Sequence, residues 1–234
     1  MSTLILGRGH VGKALHKSNE SFLYTNRKKS HTNQIIFDLE NKTTWKNIPK
    51  TDNIVWTFPA KPLELVQEFY EERLSKIKNL IVLASTSCYV NKRQKEKIDE
   101  NSTLNTGLIR VKGEEFLRKQ GATVLCLAGI YDQERNPLNW LRKNLIRNPK
   151  KVVNLVHTDD IVTIIEHFLK NPVPGERFNV CDGFPRTWQE IGDRIGFEFR
   201  MPGEREVSKL INNEKVKSTL PKDFKFRPLF DLWD

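Results

Sequence analysis

The sequence predicts a doubly wound α/β protein, a parallel sheet with helices on both faces and a small C-terminal lobe. Three observations predict it. Apolar β-type runs alternate with amphipathic helical patterns along the chain. Several runs, such as Leu80-Ile81-Val82-Leu83-Ala84, are nearly continuous hydrophobics, as strands buried on both faces are. The first run leads directly into Gly7-Arg8-Gly9-His10-Val11-Gly12 and then into a helical pattern.

Taken in order, the expected strands are Thr3–Leu6, Ser21–Tyr24, Gln34–Phe37, Asn53–Thr57, Asn79–Ala84, Ala122–Leu127 and Val152–Val156. The first helix carries Val11, Ala14 and Leu15 on one side. Pro62 suits a first helical turn, and Leu63, Val66, Tyr70, Leu74 and Ile77 follow at three- and four-residue steps. In the next helix Leu108, Val111 and Phe116 supply the apolar side, with the charges pointing outward. Thr158-Asp159-Asp160 starts another, followed by Ile161, Ile164, Ile165 and Phe168. Residues 1–128 and 151–181 are expected to form the sheet domain. Residues 129–150 and 182–234, richer in Pro, Trp and charge, are expected to form a small lobe on the substrate side of the same compact unit.

The 234 residues are 38% hydrophobic and 29% charged, as ordered globular chains are. No apolar run approaches the roughly 20 residues that cross a bilayer, which argues against a membrane partner. The first residues enter the glycine turn without a basic leader or cleavage site, so a cytoplasmic location is expected. Cys88, Cys126 and Cys181 are unclustered, which argues against a disulfide framework or a structural metal. The net charge of +10 is spread over Arg27-Lys28-Lys29, the basic stretch from Lys92 to Lys97, and the segment from Arg142 through Arg147 to Lys151. A solvated basic surface explains this better than nucleic-acid binding, and the same field favours an anionic small-molecule substrate.

Gly7 permits a tight turn, Gly9 lets the backbone approach a pyrophosphate, and Gly12 lets helix and strand pack closely. The helix N-terminus, from His10 and Val11, adds free N–H groups and a partial positive charge. This strand–turn–helix context predicts a dinucleotide site on Gly7, Arg8, Gly9, His10, Val11 and Gly12. A NAD-selective site carries a carboxylate roughly 20 residues beyond the turn. Here that segment is Tyr24-Thr25-Asn26-Arg27-Lys28-Lys29, which favours NADP over NAD. Arg27 is the candidate for a forked 2′-phosphate contact, with Lys28 and Arg8 as helpers; a solvated basic loop is the alternative. Asp38, at the end of the third strand, either accepts from the adenine amino group or caps the next helix.

These residues resemble the extended short-chain dehydrogenase/reductase family, a Rossmann-fold group, and within it the atypical members grouped with NAD-dependent epimerases/dehydratases. The resemblance rests on Gly7–Gly12; on Leu83-Ala84-Ser85-Thr86-Ser87-Cys88-Tyr89, similar to the family's Ser-rich strand end; and on Leu127-Ala128-Gly129-Ile130-Tyr131. Asn154-Leu155-Val156-His157-Thr158-Asp159-Asp160 and Phe178-Asn179-Val180 extend it over nearly the whole chain. In that family a Ser or Thr, a Tyr and a Lys carry hydride chemistry. The resemblance places Ser85 as the hydroxyl residue and Lys112 as the Lys. The Tyr-x-x-x-Lys spacing then puts Leu108 where the Tyr belongs. A leucine transfers no proton, and losing such a group costs about 10²–10⁴ in rate. Tyr89 or Tyr131 is a candidate substitute acid/base, and His157 is expected to donate to a backbone group near the sheet's end.

Two readings of function follow. One is an NADP-dependent reductase or epimerase acting on a carbonyl or sugar-nucleotide substrate. The other is a non-catalytic NADP-binding redox sensor that works through a protein partner. The resemblance also implies a homodimer through the helices at Pro62–Ile77 and Leu108–Lys119.

Overall fold

The computed structural model describes residues 2–28, 35–143, 145–146, 148–199 and 207–232. Lys29, Gln34 and Arg147, named above, lie outside them. Seven parallel strands form the central sheet: β1 (Thr3–Leu6), β2 (Leu23–Asn26), β3 (Ile35–Ile36), β4 (Asn53–Trp56), β5 (Asn79–Ser85), β7 (Thr123–Leu127) and β11 (Arg177–Val180). A short strand, β6 (Glu96–Ile98), lies outside the sheet and pairs in parallel with β13 (Lys209–Ile211). The sheet order is β11-β7-β5-β4-β1-β2-β3. Every pairing in it is parallel, so the doubly wound expectation holds. Every residue of β1, β4, β7 and β11 is buried, and β1, β4 and β7 accordingly read as largely continuous apolar runs, whereas β11, Arg177-Phe178-Asn179-Val180, alternates.

Helices α1 (His10–Ser18), α2 (Leu63–Phe69), α3 (Ile109–Lys119) and α5 (Thr158–Lys170) cover the sheet, and α1 packs beside α5. The chain winds outward from β1 through β2 to β3, then returns past β1 to start again at β4. The carboxyl ends of β1 and β4 therefore diverge into a crevice, where open α/β sheets take their ligands.

Several boundaries differ from expectation for local reasons. β2 begins two residues late because Ser21 bonds Asn19 Oδ1 through both its N–H and its hydroxyl, which holds it in a turn. α2 ends at Phe69, and the chain continues as a π-helical turn over Tyr70–Leu74. The expected strand Val152–Val156 is two strands. β9 (Val152–Val153) pairs antiparallel with β12 (Arg186–Thr187), and β10 (Leu155–His157) pairs in parallel with β8 (Gly129–Tyr131). Asn154 breaks the run, because its side chain donates to Lys209 O and accepts from the Ile211 N–H. α3 also differs. Glu114 points inward and is 2% exposed, on the same side as Val111 and Leu117, while Phe116 is only partly buried.

A second, smaller apolar cluster gathers Tyr131, Leu141, Leu155, Trp188, Ile191 and Leu229 beside the main core. It packs α4 (Pro137–Arg142) and α6 (Trp188–Arg194), the latter started by a reciprocal Thr187–Glu190 capping box. The final helix is α7 (Glu214–Thr219). All three cysteines are buried. Among the described residues no helix is long and apolar enough to cross a membrane.

Gly12 fixes the distance between α1 and the turn that precedes it. A Cβ there would lie 2.4 Å from Gly7 O, closer than real Cβ atoms come to backbone. Gly12→Ala is therefore expected to push α1 off the sheet and to destabilise the fold by about 1–3 kcal/mol, as overpacking does. Thermal unfolding checks this; an unchanged melting temperature contradicts the packing role.

Candidate functional site

The crevice holds two adjoining cavities that share Thr57, Phe58 and Pro59 as a wall. The first, of about 430 Å³, is bounded by the glycine turn, the ends of β2 and β3, and Lys61. Gly7 adopts φ +93°, the left-handed region that favours glycine. Its N–H donates to Thr25 Oγ at 2.9 Å, and its carbonyl accepts from Thr57 Oγ at 2.9 Å. The turn is thus pinned between the strands on either side of β1.

Gly9 differs from its two companions. Its backbone, φ −70° and ψ −167°, suits any residue, and a Cβ there would meet no described residue within 4 Å. Neither conformation nor packing within the protein requires glycine at this position. The space in front of it is open, on the side where α1 begins. Gly9 is the N-cap of α1 but has no side chain to bond the first amides, and the first turn of α1 carries no acid. Among the described residues no side chain caps the N–H groups of that helix end. By contrast α5 starts with His157 accepting from the Asp159 N–H, and with Asp159 and Asp160 in its first turn. His157 was expected to donate to the backbone. It accepts instead, because α5 needs a cap.

Arg8 lies with its guanidinium carbon 4.6 Å from the Tyr24 ring centroid, and its buried Nε–H finds no partner among the described residues. Arg8, Arg27 and Asp38 all line the first cavity, as does Glu40, whereas exposed Lys28 does not. Asp38 Oδ1 accepts from the Glu40 N–H, and the cap of the following turn is Asn41, which accepts from the Thr43 N–H. Of the two roles read for Asp38, capping belongs to its neighbour. Glu40 and Lys61 had no motif to mark them.

The second cavity, of about 270 Å³, lies at the ends of β5 and β7, with Ser85, His10, Arg110, Glu114, Leu127 and Arg135 among its walls. Ser85 Oγ is 2.9 Å from Ser87 Oγ. Arg110 Nη2 donates to Ser87 Oγ at 2.9 Å, and its Nη1 donates to Glu114 Oε1 at 2.7 Å. Burial raises the Glu114 carboxyl above its ordinary range, against the pull of the Arg110 charge.

Ser85 is brought to the cavity; Lys112 is not. Lys112 is exposed, and the residues of α3 that face the cavity are Arg110 and Glu114, one helical turn apart. Leu108 precedes α3 and packs against the main core. Neither proposed substitute phenol reaches the cavity. Tyr89, 2% exposed, donates to Asn179 Oδ1 at 2.7 Å, and fully buried Tyr131 donates to Arg227 O at 2.9 Å. Burial raises both hydroxyls above the ordinary tyrosine value.

His10 joins the turn to the far wall. Its Nε2 lies 2.5 Å from Asp132 Oδ2 and 3.1 Å from Thr158 Oγ. Thr158 also donates to Asp132 Oδ2 at 2.6 Å. Burial raises the Asp132 carboxyl, but the Thr158 hydroxyl, the Arg135 N–H and His10 outweigh it and hold the group below the usual carboxylate value. No local spacing announced this pair, since its members are 122 residues apart.

No family model matches the chain. Protein YeeZ of Escherichia coli K12 is 29% identical over 196 residues, covering 75% of this chain and 72% of that protein. A short-chain dehydrogenase/reductase superfamily protein from Agrobacterium tumefaciens, solved with bound NAD, superposes with a TM-score of 0.76 at 17% identity, over 99% of this chain and 94% of that one. dTDP-glucose 4,6-dehydratase from Bacillus anthracis, in complex with NAD, gives a TM-score of 0.73 at 15% identity, over 99% of this chain and 93% of that one. With its seven parallel strands and the crevice at β1 and β4, the chain has the fold of the short-chain dehydrogenase/reductase superfamily.

Proposed function

We propose that this chain binds a nicotinamide dinucleotide along the crevice, NADP in preference to NAD, and holds an anionic carbonyl or sugar-nucleotide substrate in the second cavity. The observation that carries the proposal is Gly9, a glycine that the protein's own conformation and packing do not require, at an uncapped helix end. Linked phosphates need that clearance and those amides. The two structural neighbours described above hold NAD in the same fold.

In this reading Gly7, Gly9 and the first amides of α1 take the phosphates, and the adenosine end enters the first cavity. Asp38, which lines that cavity, would accept from adenine. Arg27 supplies the 2′-phosphate contact, and the Arg8 guanidinium, stacked on Tyr24, flanks it. The cations Arg8, Arg27 and Lys61 at this cavity face the carboxylates of Asp38 and Glu40, which leaves a positive balance for a phosphate. The bound dinucleotide would supply a hydride donor or acceptor at its nicotinamide end. Ser85 and Arg110 would orient the substrate, and exposed Arg135, at the mouth of the second cavity, would draw in its negative charge. One observation favours the second, non-catalytic reading: among the described residues no tyrosine or lysine lines that cavity.

Gly9→Val is expected to leave a folded chain by circular dichroism and to abolish NADP binding by calorimetry; retained binding contradicts the proposal. Arg27→Ala is expected to weaken NADP about tenfold, the loss of one partly solvated charge-assisted bond, and to leave NAD within about twofold. Equal losses for both dinucleotides would remove the 2′-phosphate assignment. NADPH oxidation against a panel of carbonyl compounds separates the two readings of function. If the chain is an enzyme, Lys112→Ala keeps the wild-type rate and Arg110→Ala loses about 10²-fold or more. If no compound is turned over while NADP still binds, the sensor reading stands.

A further inference from the structure

His10 is the first residue of α1, one position beyond Gly9, so its side chain leaves the backbone at the phosphate turn. The ring is fixed by what holds Nε2. Asp132 lies 2.5 Å away, and a carboxylate accepts only, so Nε2 carries the proton. That leaves Nδ1 as the nitrogen available to a ligand. It bonds no described residue, and the side chain, 21% exposed, borders the second cavity. In the neutral ring Nδ1 is an acceptor. A phosphate is also an acceptor, so the two become partners only when the ring gains a second proton.

We infer that His10 takes up a proton when a dinucleotide binds, and that its imidazolium, held by Asp132, then donates from Nδ1 to the linked phosphates. This rests on the dinucleotide reading of the crevice. Charged groups surround the ring on several elements. From the loop after β8, Asp132 contacts the ring and Arg135 lies at the cavity wall. From the start of α5, Asp159 and Asp160 add negative charge, Asp160 being bonded to Arg227, while His157 is turned to the Asp159 N–H. Across the cavity, Arg110 and Glu114 of α3 offset each other. Arg8 and Lys13 are the nearest charged residues along the chain. The ring thus has one ionised carboxylate in contact and would gain the phosphates' charge on the other side. The geometry is that of a histidine oriented by an acid on one nitrogen and acting through the other.

Calorimetric titration of the full chain with NADP and with NAD, at pH 7.5 in two buffers of different ionisation enthalpy, measures the proton count on binding. NAD is included because it lacks the 2′-phosphate, which itself titrates near pH 6. Net proton uptake on NAD binding is the expected result, and its size is read from the difference between the two buffers. NAD affinity is then expected to fall as the pH is raised from 6 to 8. His10→Gln, which keeps a polar side chain, is expected to bind with no proton uptake and a flat profile. Asp132→Asn is expected to reduce the uptake, and serves if His10→Gln does not fold. Binding without proton uptake in the wild type, or the same uptake in both variants, would overturn the inference while leaving the dinucleotide reading intact. Failure of either dinucleotide to bind the wild type would overturn both.

Discussion

The structure depends on one close approach, the contact between the start of α1 and the loop that leaves β1. Gly12 stands where any Cβ would reach to 2.4 Å from Gly7 O, so the helix lies almost on the turn. Thr25 and Thr57 then fix Gly7 from the strands on either side. The result is a helix N-terminus held at the mouth of the crevice made by the reversal of strand order, with its first amides uncapped. Helix ends buried without a partner are costly, and one left open presents free N–H groups and a partial positive charge.

Much of this was legible in the sequence because the signals are local. The strands buried on both faces read as continuous apolar runs, and the glycine spacing sat between a strand and a helix. Two of the glycines have a physical reason within the protein, a left-handed backbone at Gly7 and packing at Gly12, while Gly9 fronts open space. The misplaced parts depend on partners distant in the chain. Asn154 splits a strand by bonding to residues 209 and 211. Glu114 was read as an outward charge, because hydropathy gives no credit for the Arg110 that accompanies it inward. The buried positions Val111, Glu114 and Leu117 recur every three residues, so helical phase alone would have turned Glu114 to the core. Asp132 could not have been found from spacing, since only the fold brings it to His10.

The two cavities also differ in how far they match the family that the sequence resembles. The first keeps the glycine turn, a basic residue after β2 and an acid after β3. The second keeps Ser85 but meets α3 through an arginine–glutamate pair, with the aligned lysine facing solvent and the aligned tyrosine replaced by a partly buried leucine packed against the core. An ion pair two percent exposed on its acidic side is expensive to desolvate, and it is tolerated because Arg110 also finds Ser87. The two guanidinium bonds tie Ser85, through Ser87, to α3. The proton inventory of this cavity is therefore a buried carboxyl and a carboxylate-held imidazole rather than a phenol and an ammonium.

The most direct test of the account is a crystal structure of the protein grown with saturating NADP. The predicted result is the two linked phosphates in front of Gly9, with their oxygens about 3 Å from the amide nitrogens of His10 and Val11 and the adenosine end beside Arg27 and Asp38. An empty crevice at saturation, or a dinucleotide bound elsewhere on the surface, would contradict it.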